Sequence, residues 1–411
     1  MKVRRGGGLR LAAVFVCAAL AAVSGRPAAQ GGRDARPEVD PYTEGDPDAM
    51  AKAGYVRFAP FRWAADQTTE VVEDTLGGMP LLWVETEHFK IGSSLDAYEF
   101  GVDREEKEVL GEELKRLKKR IPGIKRKVKE LDPWLRLHLF AMRLEELYDS
   151  FLEEFGYTDD SFPAPKGSVP YLGKGKYLGL EDKFCVLLLE KKSSMARYTG
   201  TYCGRVIDTT YRSYFQKTDT LFFGMAFESL EGMFHSDKAI HYAVVFNLIQ
   251  NMSNGFRGYT HEAPMWWNIG LARWFARRAD PRWLLYTASL TAGVRVDEKE
   301  AEWGRKVRAR VEQDFYPSMA DLMAKTSFDE LDFADHMMIW SRVDYIMSLK
   351  TELKQNLIVT FQEPAGWAGA VNSDAKPEDQ FHAVIGNALR MELDDFDKEW
   401  ARFVRRTYPK K

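Results

Sequence analysis

The stretch YTHEAPMWWNIGLARWFARR, residues 259–278, joins a His-Glu pair to a Trp-rich segment of helical periodicity. Trp267, Leu271 and Trp274 recur at i, i+4 and i+7, a spacing that predicts a helix with one buried face. A helical zinc-binding motif needs a second histidine four residues after the first, and Met265 stands at that position after His261. The pair by itself therefore does not predict a metal site.

The composition is that of a globular protein with a substantial core. Of the 411 residues, 45% are hydrophobic and 13% aromatic, and the formal net charge is −3. A chain so close to neutrality has no general electrostatic attraction for nucleic acid, so we expect no nucleic-acid partner.

The N-terminus has the pattern of a secretory signal peptide over residues 1–25. A basic segment, MKVRRGGGLR, precedes the apolar LAAVFVCAALAAV and a small-residue cleavage site that ends at Gly25. We therefore expect an exported protein, periplasmic or extracellular, with no transmembrane segment after cleavage. An uncleaved membrane anchor is the alternative. The remaining cysteines, Cys185 and Cys203, permit one disulfide, and a buried thiol in the strand-like KFCVLLLE is the alternative.

The rest of the chain divides by pattern into three parts. We predict a flexible leader over residues 26–78, an α/β subdomain over 79–229 and a helical subdomain over 230–411. The predicted strands are LLWVETEHFKIGSS (81–94), KFCVLLLE (183–190) and TLFFGMAF (220–227). The predicted helices include 104–120, 133–155, 237–252, 281–294, 336–361 and a last one that ends near Tyr408.

Several phrases resemble the peptidase MA-like gluzincin families of exported bacterial proteins. These are ETEHFKIGSS, LEELYDSFLEEFG, KFCVLLLE and, most specifically, PMWWNIGLARWFARR, which is similar to the family's proline–Trp–Glu-Gly-Leu-Ala helix. SRVDYIMSL through DKEWARFV is similar to its C-terminal helices, so the resemblance covers roughly residues 80–405. It implies an α+β, gluzincin-like fold: a small mixed sheet with packed helices, followed by a mostly helical C-terminal half.

The same resemblance implies that the metal-binding motif is degenerate. It places His241 at the first zinc histidine, Tyr242 at the catalytic glutamate, Val245 at the second histidine and Ile269 at the third ligand. One imidazole does not hold zinc, and position 242 has lost the general base. We therefore expect no catalytic residue and no cofactor, and predict a non-catalytic binding or scaffolding protein.

Two alternatives remain open. An active zinc-dependent hydrolase would need relocated ligands from His235, Asp237, His241, His261 and Glu262, although an Asp237–His241 hydrogen bond is the simpler reading of that pair. An envelope interaction protein would use the basic run KRLKKRIPGIKRKVK (115–129), which includes Lys118, Lys119 and Arg120. The simpler reading of this run is a solvated helix face.

The expected binding surface lies on the Trp-rich helix. Trp266 and Arg273 flank its buried face and could line a groove for a peptide or a cell-envelope polymer, whereas burial in the core is the alternative.

Overall fold

The structure is a computed structural model that describes residues 39–99, 104–163, 173–229, 236–285, 293–295, 301–362 and 385–410. Residues Val39–Lys411 group into one compact unit. One hydrophobic cluster continues from the sheet into the last helix, so the predicted subdomains 79–229 and 230–411 share a core. The predicted signal peptide lies outside the described residues.

A six-stranded mixed sheet organises the N-terminal half, in the order β1-β2-β3-β6-β8-β7. Strands β1 and β2 are antiparallel, as are β2 and β3, whereas β3, β6 and β8 run parallel. β7 closes the far edge antiparallel to β8. The strands are β1 (Tyr55–Phe58), β2 (Leu82–Thr86), β3 (Phe89–Ser93), β6 (Phe184–Leu189), β7 (Thr210–Phe215) and β8 (Thr220–Ala226).

Two short pairs of strands lie outside this sheet. They are β4 (Tyr98–Glu99) with β5 (Glu130–Leu131), and β9 (Trp283–Leu285) with β10 (Gly293–Arg295). The second pair corrects the helix predicted over 281–294 in the residues that the structure describes.

Alternating side chains of the sheet serve two separate cores, as the period-two geometry of strands requires. Val186 and Leu188 belong to the large core, and Cys185 and Leu187 to a smaller one on the opposite face. The large core includes α4 (Pro133–Phe155) and α6 (Asp237–Gly255). The small core includes residues of α2 (Thr69–Thr75) and α5 (Lys192–Tyr202).

Residues 39–78 correct the prediction of a flexible leader over 26–78. They form α1 (Pro47–Ala53), β1 and α2, and β1 pairs with β2 in the main sheet. Trp63 is fully buried and donates from its indole nitrogen to the Tyr198 hydroxyl at 2.8 Å. The apolar side chains that anchor the segment include Phe61, Trp63, Val72 and Leu76, which belong to the small core.

The C-terminal half is mostly helical, as predicted. The predicted helix 336–361 is two helices, because the chain turns at residues 348–350. None of the helices in the described residues is both long and apolar enough to span a bilayer. Besides α6 and the earlier α3 (Arg104–Arg120), the helices are α7 (Met265–Ala279), α8 (Trp303–Glu312), α9 (Met319–Met323), α10 (Phe333–Met347), α11 (Thr351–Gln362), α12 (Asn387–Leu389) and α13 (Leu393–Thr407).

Candidate functional site

The turn before α7 is fixed by side-chain hydrogen bonds. Asn254 Oδ1 accepts from the Ala263 amide at 2.9 Å and from Asn268 Nδ2 at 3.0 Å. His261 contacts the Phe361 carbonyl through Nε2 at 2.7 Å, so its ring ties this turn to α11. The two residues of the His-Glu pair therefore have different surroundings. His261 contacts the backbone of α11, whereas Glu262 is exposed to solvent.

A pocket of about 370 Å³ lies where α6, α7, β7 and the segment after α9 meet. Ile269, the position of the third zinc ligand in the resembled family, lies in its wall beside Gln250 of α6 and Asn268 of α7. The other lining residues are Arg212, Glu262, Ala263, Pro264, Met265, Trp266, Met323, Lys325, Thr326 and Phe328.

The resemblance placed His241 and Ile269 in one metal site, but His241 does not line the pocket that contains Ile269. It lines a second cavity of about 440 Å³ near α3 and α4, together with Glu113, Arg143 and Lys238. Gln250 follows His241 by nine residues, which rotates it about 180° around the helix axis at roughly 100° per residue. Consequently His241 and Ile269 share no described cavity.

Tyr242 and Val245, the other two degenerate positions, are buried in the large core and line neither of these cavities. The four positions that the resemblance aligned with one metal site are therefore distributed over different places around α6 and α7.

A buried ion cluster surrounds the first turn of α6. The Arg143 guanidinium donates to Asp237 Oδ2 at 2.6 Å and to both Glu113 carboxylate oxygens at 3.0 and 2.6 Å. Although burial raises the pKa of Asp237, Arg143 and Arg136 hold it below its usual value. The sequence analysis expected an Asp237–His241 hydrogen bond. In the structure, Arg143 is the hydrogen-bond donor to the Asp237 carboxylate.

This cluster is unsuited to a metal. Burial, followed by the positive charge of Arg143, lowers the pKa of His241 to about 4. A divalent cation bound between His241 and Asp237 would meet the same guanidinium. The ligands proposed for a relocated zinc site also do not converge, since His261 contacts α11 and Glu262 lines the other cavity. His235 lies outside the described residues.

The predicted groove residues Trp266 and Arg273 are both buried, with 2% and 1% of their surfaces exposed. Arg273 donates to His336 Nδ1 at 3.1 Å, and its guanidinium lies within 6.0 Å of the rings of Phe246, Trp303 and Phe328. Trp266 alone of the pair lines the pocket, and its indole nitrogen has no hydrogen-bond partner. The groove prediction is thus corrected for Arg273.

A group that the sequence did not reveal lies at the β2–β3 turn. Within the part of the chain that the structure describes, only Glu87, His88 and Asp159 offer three metal-ligand atoms all within 4.8 Å. His88 contacts Glu145 through Nδ1 at 2.6 Å and Asp159 through Nε2 at 3.2 Å. Burial lowers the pKa of His88, but Glu145 and the other carboxylates raise it above its usual value.

The histidine of this group already has a carboxylate at each ring nitrogen. The arrangement therefore favours a charged link between the turn, α4 and the segment after it, rather than an open metal site. His88 and Asp159 are 71 positions apart in the sequence, which explains why no local motif indicated this group.

Cys185 and Cys203 are free thiols in the structure. Cys185 is fully buried in β6, and its Sγ lies 3.7 Å from the Lys183 carbonyl oxygen. This is the buried-strand alternative of the sequence analysis rather than the disulfide.

The basic run lies at the end of α3 and in the turn after it. Lys115 and Arg116 pair with Glu112 and Glu146, whereas Lys118 and Lys119 are exposed in the last helical turn. Cations at this end of a helix are favoured by the helix dipole, which supports the solvated-face reading.

Comparisons of the chain with protein-family models, curated proteins and solved structures give no match. A functional proposal therefore depends on the side chains of the chain itself.

Proposed function

We propose that the protein is an exported, non-catalytic relative of the MA-like metallopeptidases that binds an extended peptide at the pocket beside α7. The observation that carries this proposal is the pocket wall itself. No histidine or cysteine is among the described residues that line it, and Glu262 is its one carboxylate. Such a donor set is too poor for zinc, which is bound by several imidazole, thiolate or carboxylate ligands together.

The neighbouring strand supports a peptide as the ligand. β7 is at the edge of the sheet and, among the described strands, pairs with β8 alone. An edge strand presents backbone amides and carbonyls to which an extended peptide can add, while a pocket alongside receives a side chain. Arg212 belongs to both features, since it is a β7 residue in the pocket wall.

The non-catalytic part of the proposal is tested by metal loading. Purified protein is incubated with one equivalent of zinc, desalted and examined for bound metal and for cleavage of a fluorogenic peptide mixture. We expect no zinc-dependent cleavage. Stoichiometric zinc together with cleavage abolished by a chelator would instead establish an active enzyme.

The binding part is tested by filling the pocket. Met265 lines the pocket and is only partly buried, so Met265→Trp adds bulk there with little disturbance of the core. We expect the variant to bind a fluorescent random-peptide pool at least about tenfold more weakly, equivalent to roughly 1.4 kcal/mol.

Val206→Trp is the matched control, because Val206 is 77% exposed and away from the pocket. Equal affinities of both variants and the unmodified protein would contradict the proposal.

A further inference from the structure

Arg212 is the feature of the pocket that peptide binding in general does not explain. Side chains alternate along β7: Tyr211 and Phe215 pack on the small core, whereas Tyr214 packs on the large core. Arg212 shares the face of Tyr214 and is half-buried in the pocket wall. No described carboxylate lies within ion-pair distance of its guanidinium, although Glu262 at the pocket mouth acts on it electrostatically.

A guanidinium that is partly removed from water without a paired anion is unfavourable. The other cation of the pocket, Lys325, is already bound to the carboxylate of Asp335. Arg212 would therefore stabilise a bound anion more than Lys325 would, because Lys325 is already paired.

Two buried groups in the same wall lack partners. Asn268 is 4% exposed, and its amide nitrogen donates to Asn254 Oδ1 and to the Ala263 carbonyl, each at 3.0 Å. These bonds fix the orientation of the amide and leave Asn268 Oδ1 without a partner. Trp266 Nε1 is an unpartnered donor.

Each of these two atoms has less than 1 Å² of accessible surface, so neither is open to a ligand in the pocket, and Arg212 remains the polar group that a ligand can reach.

The remainder of the pocket is apolar and small. Met265, Ile269, Met323 and Phe328 contribute apolar walls to a volume of about 370 Å³. This volume is near the lower limit for ligand sites, which suits one terminal residue better than a long segment or a branched glycan.

We propose that the pocket receives the carboxyl-terminal residue of a peptide, with its carboxylate on Arg212 and an apolar side chain against Ile269. This inference rests on the proposed function and narrows it, because it names the end of the peptide that is recognised. A guanidinium is well suited to the task, since its fork of donors matches a carboxylate in geometry as well as charge.

The test compares two probes on the purified protein by fluorescence anisotropy. Both are N-terminally fluorescein-labelled hexapeptide pools with random residues followed by Leu, Phe or Met. One pool ends in a free carboxylate and the other in an amide. We expect the amide pool to bind at least about tenfold more weakly, the ratio expected when a charge-assisted bond is lost.

Arg212→Gln is expected to weaken binding of the acid pool by a similar factor while leaving the amide pool nearly unchanged. This non-additivity distinguishes a direct contact from general damage to the fold. Arg57→Gln is the matched control, since its side chain is on β1 at the opposite edge and 53% exposed.

Three outcomes overturn the inference, and they separate it from the proposed function. Equal binding of the two pools would show that the ligand carboxylate does not contact Arg212. An equal effect of Arg212→Gln on both pools would show the same. If Met265→Trp still weakens both pools in that case, peptide binding stands without terminal recognition. If neither pool binds the unmodified protein, both proposals fail.

Discussion

Gly270, in the Gly-Leu-Ala phrase of α7, allows a close approach between α7 and α10. A Cβ atom at this position would lie 2.4 Å from Val343 Cγ2 and 3.0 Å from Ile339 Cγ2 on α10. The glycine therefore sets the distance between two helices. The Gly-Leu-Ala phrase that resembles a peptidase motif therefore has a packing role of its own.

Gly270→Ala is expected to destabilise the protein by about 1–3 kcal/mol, because the added methyl group overpacks the α7–α10 contact. Urea denaturation followed by circular dichroism measures the change. Gly111→Ala is the control: its Cβ would meet no atom within 4 Å in α3, so the substitution should stabilise by about 0.5–1 kcal/mol. Equal effects of both changes would contradict the packing role.

His336 makes stability depend on pH through a single buried ring. Its Nδ1 accepts from Arg273, which requires the neutral form, and it is 2% exposed. Burial, with Arg273 and Lys325 nearby, lowers its pKa to about 2. The unfolded chain, with a histidine pKa near 6.5, then binds a proton first as the pH falls, so stability is lost below pH 6.5.

Between pH 6.5 and 5 this one group should lower the free energy of unfolding by about 2 kcal/mol. His336→Gln keeps a hydrogen-bond acceptor for Arg273 but does not titrate, so its pH profile should be flatter. Urea unfolding at both pH values measures the two slopes. His88, whose raised pKa gives the opposite trend, is unchanged in both proteins and cancels. Identical slopes would refute the role of His336.

Among the elements, the sequence predicted best those with strong end signals. α3 and α4 have the predicted bounds, since Asp132 and Pro133 begin α4 and Gly156 ends it in the left-handed conformation. The predicted strand 81–94 is a hairpin, because Thr86 Oγ1 accepts from the Phe89 amide at 3.2 Å and closes a turn that contains no Gly or Pro. Turns made by such side-chain contacts leave little trace in residue patterns.

The N-cap of α4 is expected to contribute measurably to stability. Asp132 Oδ1 accepts from the Leu135 amide at 3.0 Å, and its other oxygen accepts from the Tyr42 hydroxyl. Asp132→Ala should cost about 1–2 kcal/mol in unfolding free energy. Tyr42→Phe, alone and combined, separates the cap from the tyrosine contact. A loss that vanishes in the Tyr42→Phe background would mean that the cap itself contributes nothing.

At the scale of the whole molecule, the fold class was predictable and the site was not. Apolar periodicity is local, so it predicts an α+β chain with a helical C-terminal half. Which face of α6 meets Ile269 depends on how whole helices pack, and the motif alignment therefore chose His241 where the structure has Gln250. The β2–β3 turn and Asp159 likewise meet only in three dimensions.

Residues 39–78, the segment before β2, are held to the rest of the molecule in part by a buried polar network around Asp40. The Asp40 carboxylate is fully buried, contacts His138 Nε2 at 3.0 Å and accepts from the Tyr42 amide at 2.9 Å. Asp40→Ala should cost about 2–3 kcal/mol, because it removes hydrogen bonds to a charged group and leaves buried donors unpaired.

Limited proteolysis should release the segment before β2 more readily from the Asp40→Ala variant than from the unmodified protein. Urea denaturation measures the loss in unfolding free energy. Asp48→Ala, at an exposed position of α1, is the control and should change neither. Unaltered cleavage in Asp40→Ala would mean that the segment is anchored elsewhere, for example through Trp63.

The free thiols of Cys185 and Cys203 can report the rates at which two different parts of the protein open. Burial raises the pKa of Cys185 to about 12 and that of Cys203 to about 11, so neither is an appreciable thiolate at neutral pH. Cys185 is enclosed between the sheet and α5, whereas Cys203 is half-buried where α5 ends. Alkylation by iodoacetamide should therefore mark Cys203 when the helix end frays, and Cys185 only when the sheet itself separates. Two labelling rates on one molecule would then time local and global unfolding independently.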